Sequence, residues 1–333
     1  MTKTTRFNGW LLGLGALLVV LAMINLNTGT MALGPAAVWQ WLTGHGTATQ
    51  TLVLLNFRLP RIVLAILVGW ALALAGDVLQ TVTHNPMADP SLIGINTGAG
   101  LAVMLLIIYA GTSTSLGLAM PLVALVGAWV STGLIFVLSY HPQRGLLTNR
   151  LLLIGVALSG CFSALMVLMT LKLSPDNYQF VMNWLAGSLW GTDWSYIGWA
   201  LPWLLVGSGI ILFRLPVLAA FTLGDSAAQS LGVNLKHQQL LLVSVAAMLA
   251  GVSVAISGGI SFVGLITPNL ARRLVGSRSR YQLPLAGMLG SCLLLAADTL
   301  GKLITTTTEL PVGVLVAFIG APYFIYLLIH GTN

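Results

Sequence analysis

Apolar residues run along this chain in long stretches that short clusters of polar residues, glycine and proline separate. A helix needs about 20 such residues to cross a bilayer, and lipid leaves no partner for the backbone of an irregular segment. The stretch from Leu240 to Val275 is too long for one helix, and Gly258 and Gly259 offer a break. The pattern predicts crossings at about 10–26, 62–80, 91–110, 118–139, 150–171, 196–213, 238–257, 260–275, 282–303 and 311–329.

These crossings predict an all-α integral membrane protein, with residues 1–333 as a single transmembrane domain. The composition agrees, because 57% of the residues are hydrophobic and 6% are charged, against about 25% charged in soluble domains. Residues 62–171 and 238–329 each hold four predicted crossings and start from opposite sides of the membrane. That arrangement is typical of the inverted repeats of transporters.

Basic residues predict the orientation, because Lys and Arg are enriched in cytoplasmic loops. With the N-terminus inside, Arg58, Arg61, Lys172 and Lys302 lie outside. The other basic residues used in this count lie inside: Lys3, Arg6, Arg144, Arg150, Arg214, Lys236, Arg272, Arg273, Arg278 and Arg280. Both termini are then cytoplasmic, and the first helix is an uncleaved crossing. The net charge of +7 reflects basic loops beside anionic lipid, and no nucleic-acid partner is expected.

Three of the outer cations predict a docking surface for an acidic partner. Arg58 and Arg61 flank Pro60 at the start of the second crossing, and proline suits the first turn of a helix. Arginine binds carboxylates through two parallel hydrogen bonds. Anchoring to lipid phosphate by snorkelling is the alternative. Lys302 has a candidate partner of its own, since Asp298 lies four residues earlier on the same helix, and Glu309 completes the predicted charge cluster.

On the inner side, two Asx-Pro pairs predict a rigid turn, Asn85–Pro86 and Asp89–Pro90. The turn leads into a glycine-rich stretch that contains Asn96, where close helix packing and the lining of a water-filled path are equal alternatives. Asp77 and Gln80 fall late in the preceding crossing. An acid at that depth is a candidate for function or a simple interfacial hydrogen-bonding group.

The cytoplasmic segment from about 214 to 237 predicts a short helix that contacts a partner. Thr222 is the predicted N-cap and Gly232 the predicted end, and Asp225 lies in the first turn, where the helix dipole favours an acid. A helix lying on the bilayer surface is the alternative. Its small residues and sparse basic charge favour a protein groove. The segment's candidate contact residues are Leu223, Gly224, Asp225, Ala228, Leu231, Gly232 and Val233.

The sequence shows no pattern that is typical of a catalytic site. The five histidines are scattered and Cys161 and Cys292 lie within apolar stretches, so neither a metal site nor a disulfide is expected. No Gly-x-x-x-x-Gly-Lys-Ser/Thr motif is present. We therefore expect no cofactor on this chain, and any ATP and magnesium chemistry belongs to a partner.

Five stretches in this order resemble the FecCD family of ABC importer permeases, which move iron–siderophores, haem or vitamin B12. They are 58–61 (Arg-Leu-Pro-Arg), 85–94 (Asn-Pro-Met-Ala-Asp-Pro and Gly94), 223–232 (Leu-Gly-Asp to Leu-Gly), 257–272 (Ser-Gly-Gly-Ile-Ser-Phe-Val-Gly-Leu, with Pro268 and Arg272) and 309–322 (Glu-Leu-Pro-Val-Gly, with Gly-Ala-Pro). Asn269 departs from the family, where a histidine is usual. Asp77 also departs, since small residues are usual there, as does Arg278-Ser-Arg280.

The resemblance implies a ten-helix permease of the inner cell membrane. It implies a second permease, in a homodimer or a heterodimer, which completes the translocation path. It also implies two cytoplasmic ATPase subunits, which receive residues 223–233 as a coupling helix. An extracytoplasmic binding protein is implied as well, with glutamates that dock on Arg58, Arg61 and Lys302. Thr148 and Asn149 stand where the inner gate is expected, and Phe262 and Pro268 are further path candidates. Ferric siderophore is the expected cargo, with haem and vitamin B12 as alternatives. An ion-coupled secondary transporter that uses Asp77 and Asp298 is the alternative from another class.

Overall fold

The computed structural model describes residues 3–29, 34–111, 117–141, 145–304 and 310–330. The first half contains α1 (Lys3–Asn27), α2 (Pro35–Leu42), α3 (Ala48–Leu52), a π-helix (Val53–Arg58), α4 (Leu59–Thr83), a 3-10 helix (Pro90–Ile93), α5 (Ile95–Ala110), α6 (Ala119–Ser139), the two-residue strands β1 (Tyr140–His141) and β2 (Gly145–Leu146), which pair antiparallel, and α7 (Thr148–Thr170). The rest contains α8 (Pro175–Leu185), α9 (Trp194–Phe213), α10 (Leu215–Phe221), α11 (Asp225–Ser230), α12 (Leu235–Ser257), α13 (Val263–Val275), α14 (Ser279–Ile304) and α15 (Val312–His330).

Within the described ranges, eight helices are long and apolar enough to cross a membrane, and they match eight of the ten predicted crossings. The other two are short. The predicted crossing at 91–110 is α5, with 16 residues, and the one at 260–275 is α13, with 13 residues. The ten predicted crossings are therefore all helical, eight of them long and two short. The break at Gly258 and Gly259 is confirmed, since α12 ends at Ser257.

The packing of the helices repeats between the two halves, in agreement with the predicted inverted repeat. In each half the second helix packs on the third, α5 on α6 and α13 on α14. Across the halves, α4 packs on α14 and α12 packs on α6, while α4 and α12 contact each other. The residue before each short helix is left-handed, Gly94 with φ 71° and Phe262 with φ 69°. Short helices at corresponding positions mark the transport path in proteins of this design.

α4 forms the centre of the bundle. In its most apolar window 78% of the residues are buried, against 11% in α7. Glycines allow its neighbours to approach closely, as in other membrane bundles. A Cβ atom added to Gly69 would collide with the carbonyl group of Gly290 on α14, and one added to Gly76 would collide with Gly264 on α13. The backbones of three helices therefore meet at positions that admit no side chain.

Gly76→Ala should lower the stability of the purified chain by about 1–3 kcal/mol, the usual cost of overpacking, because the new methyl group would force α4 away from α13. The thermal unfolding midpoint in detergent measures the effect. Gly133→Ala on α6 is the matched control, since no atom lies within 4 Å of an added Cβ there. Equal midpoints for the two variants would contradict the predicted contact.

Candidate functional site

The three predicted docking cations line one cavity of about 610 Å³ at one end of the bundle. Its wall comes from residues 28–29 after α1, from α3, the π-helix and the start of α4, and from residues 189–193 and the end of α14. Arg58 and Arg61 are 6% and 7% exposed. Both arginines are therefore buried side chains at the wall of a cavity, and their docking role stays a prediction. Glu309, the fourth predicted member, lies outside the described residues.

A buried carboxylate joins two of the cations. The Nε atom of Arg61 donates to Asp298 Oδ1 at 2.7 Å, and Lys302 Nζ lies 3.3 Å from Asp298 Oδ2. The Asp298 side chain has no exposed surface. The intrahelical Asp298–Lys302 pair predicted from their spacing is confirmed, and the structure adds Arg61 from another helix. A buried carboxylate needs such partners, because desolvation of an unpaired charge costs several kcal/mol.

Asn25 of α1 completes this cluster, and sequence reasoning missed it. Its Nδ2 atom donates to Asp298 Oδ2 at 2.9 Å, and its Oδ1 atom accepts from Lys302 Nζ at 2.8 Å. Arg58 donates to the carbonyl oxygen of Leu26 near the end of the same helix, where a cation also complements the helix dipole. A fully buried asparagine late in an apolar helix was the available signal, because intramembrane polar residues need partners.

Pro60 accounts for the backbone conformation of the segment that carries Arg58 and Arg61. Proline has no N–H group to donate to the preceding turn, and the turn before it is a π-helix that ends at Arg58. The carbonyl oxygen of Leu55 accepts a hydrogen bond from Trp194 Nε1 at 2.8 Å instead. Trp194 thereby fastens the start of α9 to the wall of the cavity, a role that the sequence did not indicate.

A second polar cluster lies where α4 meets α13, and another proline accounts for it. Pro268 cannot donate to the carbonyl oxygen of Gly264 four residues earlier. Gln80 Nε2 donates to that oxygen at 3.0 Å, and Gln80 Oε1 accepts from Arg272. Asn269 Nδ2 donates to Leu265 O at 2.8 Å and to Pro86 O at 2.9 Å. Arg272 also donates to Asn269 Oδ1 at 2.9 Å, so Gln80 and the carbonyl group of Pro86 belong to one network beside Pro268.

The turn predicted around the two prolines is present. Asn85 Oδ1 accepts from Met87 N at 2.9 Å, and Asp89 Oδ1 accepts from Ser91 N at 2.8 Å. Asp89 is buried close to Gly264 at the start of α13. Burial raises the pKa of its carboxyl group, while the hydrogen bonds from Ser91 oppose that shift. Asp89 and Pro90 thus serve to hold this turn against α13.

Asp77 belongs to the packed interior. Its side chain is 2% exposed, and its Oδ1 atom accepts a hydrogen bond from Gln282 of α14. We expect Asp77→Asn to retain at least about half of the wild-type transport rate, because an isosteric amide preserves an oxygen acceptor at nearly the same position. Transport of radiolabelled cargo into proteoliposomes tests this. Loss of transport with intact assembly would return Asp77 to the transport mechanism.

Asn96 connects the starts of the two short helices. Its Nδ2 atom donates to Ser261 Oγ at 3.3 Å, directly before Phe262. Phe262 packs against Gly320 of α15, where an added Cβ would collide with its ring. Thr148 and Asn149 lie in the first turn of α7, and their side chains are outside the described part. Asn96 and Phe262 therefore lie at the junction of the two halves, and their role in the path stays a prediction.

The predicted coupling segment is helical but is built differently. Thr222 does not cap it; α10 continues to Phe221, and the Thr222 hydroxyl donates back to Ala219 O at 2.7 Å. Gly224 precedes α11 instead, and Asp225 lies in its first turn, as predicted. Ala228 is buried. Gly232 is left-handed after the end of the helix, φ 84°, and Val233 N donates to Ala228 O at 3.1 Å.

Two leucines flank this helix and face outward. Leu223 is 67% exposed and Leu231 is 66% exposed. Asp225 Oδ1 lies 3.9 Å from His84 Nε2, at the C-terminus of α4. The segment therefore presents apolar side chains while it contacts the end of the central helix and the 84–90 turn.

Comparisons with known proteins agree with this architecture. The model of the FecCD transport family matches residues 17–330. The iron(3+)-hydroxamate import system permease FhuG of Bacillus subtilis is 39% identical over 95% of both chains. The Fe(3+)-citrate import system permease YfmE of the same organism is 39% identical over 98% of both chains. A solved inward-facing structure of a putative metal-chelate type ABC transporter has a TM-score of 0.84 and 32% identity, and it covers 96% of this chain and 98% of its own.

Proposed function

This chain belongs to the FecCD transport family as a multi-pass permease subunit of an ABC importer in the cell membrane, and we propose that it carries ferric siderophores inward. The proposal rests on one observation. Permeases named for the import of iron(3+)-hydroxamate and Fe(3+)-citrate match it over almost its whole length. Haem and vitamin B12 are the alternatives within the family.

The assembly that we propose contains a second permease, which completes the path, and two ATPase subunits that bind ATP and magnesium. The apolar segment around α11 supports an ATPase contact, since Leu223 and Leu231 expose large side chains beside a helix of only six residues. Such an exposed apolar pair is typical of a protein contact. The chain itself acts as a transport subunit, and ATP hydrolysis belongs to the partners.

The outer cavity supports the docking of a binding protein. Among the described residues, its three cations, Arg58, Arg61 and Lys302, are accompanied by two acids, Asp298 behind the wall and Asp193 in it. An acidic side chain from outside would meet a surplus of positive charge there, and complementary charge fixes the register of a contact and speeds its formation. ATP binding to the partners then favours one of the two orientations of the path, and transport follows from that difference in stability.

Ion-coupled secondary transport has little support. It requires acids that can exchange ions with the path, whereas Asp77 is bound to Gln282 and Asp298 is bound to Arg61 and Lys302. Both carboxylates already have strong partners inside the bundle.

The test is ATP hydrolysis by the complete complex in proteoliposomes, with the binding protein loaded in turn with ferric hydroxamate, haem or cobalamin. Stimulation by the ferric hydroxamate alone supports the proposed cargo. Stimulation by haem or cobalamin alone keeps the importer and overturns the cargo. Failure to recruit an ATPase, together with no response to any loaded binding protein, would overturn the proposed assembly.

A further inference from the structure

The outer cavity contains an arrangement that a simple surplus of positive charge does not require. Arg61 and Lys302 come from different helices and repel each other, yet Arg61 contacts Asp298 Oδ1 at 2.7 Å and Lys302 contacts Asp298 Oδ2 at 3.3 Å. Long basic side chains have many rotamers, and ordering each one costs up to about 2 kcal/mol. A buried carboxylate between them fixes both head groups before a partner arrives.

Asn25 restricts the same carboxylate from a third helix. Its amide nitrogen donates to Asp298 Oδ2 and to Thr299 Oγ1, both at 2.9 Å, and its oxygen accepts from Lys302. The amide orientation is determined by these contacts, since the nitrogen faces acceptors and the oxygen faces an ammonium group. The cluster is therefore satisfied on every side within the described residues.

We propose that Asp298, held by Asn25, is a positioning residue for docking: it presents Arg61 and Lys302 at the cavity wall in the geometry that receives a carboxylate of the binding protein. The proposal rests on the docking function proposed above. Asp298 is fully buried and does not contact the binding protein, yet it would determine how tightly that protein docks.

The direction in which one substitution changes the docking affinity distinguishes positioning from long-range electrostatics. Asp298→Asn removes a negative charge close to the cavity, so electrostatics alone predicts tighter docking of an acidic partner. Positioning predicts weaker docking, because an amide nitrogen would replace one oxygen and face either Arg61 at the Oδ1 position or Lys302 and Asn25 at the Oδ2 position. We expect the half-saturating concentration of the binding protein to rise about tenfold, while the rate at saturation stays within about twofold of wild type.

Asp193→Asn is the matched control. Asp193 lines the same cavity, and its Oδ1 atom accepts from Ser195 N at 2.7 Å and Tyr196 N at 3.2 Å as the N-cap of α9. Asparagine is an equally good N-cap, so this variant removes the same charge without releasing a cation. Its half-saturating concentration should be unchanged or lower than that of wild type.

The measurement is ATP turnover of the reconstituted complex against the concentration of its binding protein, loaded with ferric desferrioxamine B. A half-saturating concentration for Asp298→Asn equal to or below the wild-type value overturns the positioning role. If that variant fails to assemble, Asn25→Leu decides, with an expected rise of about threefold and an unchanged value as the contrary result. If the wild-type complex shows no stimulation with the binding protein loaded with ferric desferrioxamine B, haem or cobalamin, the docking function fails and not the positioning role alone.

Discussion

The double variant Arg58→Glu/Arg61→Glu should lose the stimulation of ATP turnover by the loaded binding protein and fall to the basal rate. Both side chains line the outer cavity, and reversal would place two negative charges opposite an acidic partner. Like charges brought together at an interface cost several kcal/mol, enough for a loss of at least about a hundredfold in affinity. The rate is measured in proteoliposomes against the concentration of the binding protein.

The structure dictates the controls for this experiment. In the double variant, the new carboxylate that replaces Arg61 would face the buried Asp298, so assembly and basal turnover must be measured beside the stimulated rate. Arg58→Glu alone avoids that buried repulsion and should still lose most of the stimulation. Lys172→Glu reverses an exposed charge that the alternation of crossings places on the same side, away from the cavity, and should behave as wild type. Undiminished stimulation of an assembled double variant would contradict docking at the cavity.

The variant Leu223→Asp/Leu231→Asp should no longer bind the ATPase subunits, while the permease itself remains folded. These leucines are largely exposed on either side of α11, so the substitution removes no core packing from the isolated chain. In the complex it would bury two charges without partners, at a cost of several kcal/mol. Co-purification of the ATPase with the permease, followed by ATP turnover, measures the loss.

Ser277→Asp is the control for this second experiment. Ser277 is exposed in the connection between α13 and α14, which the alternation of crossings places on the same side as α11. It adds negative charge at a position that is already polar, and the ATPase should bind normally. Retention of the ATPase by the double leucine variant would locate the coupling contact elsewhere, whereas loss in both variants would indicate a general effect of charge.

The helices and their breaks were predicted well because they depend on neighbours in the sequence. A run of apolar residues predicts a crossing wherever it lies, and Gly258–Gly259 interrupts such a run in any context. The mistaken N-cap at Thr222 has an equally local cause. Pro216 in the first turn of α10 favours a helix that begins earlier, and this signal was overlooked. Helices α5 and α13 begin later than the predicted crossings, because residues 90–93 form a 3-10 helix and the residue before each helix is left-handed, Gly94 and Phe262.

The charged residues show what sequence patterns could not decide. Asp298 and Lys302 are four residues apart, so their pair was predictable. The partners of Arg61 and Asp77 are not predictable in this way, because the partner of each lies on a distant helix. Gln282 binds Asp77 across 205 positions of sequence, and no local pattern contains that pairing.

The sequence by itself determined the membrane class, the order of the helices and the family, because hydrophobic length and the order of short motifs carry that information directly. Only the tertiary structure decided which polar groups share a cluster. Arg61 and Asp298 are separated by 237 positions and meet at 2.7 Å, since the crossing of α4 on α14 brings their ends together. In a medium without water, such a contact determines whether a charge is buried, and it depends on how the helices pack.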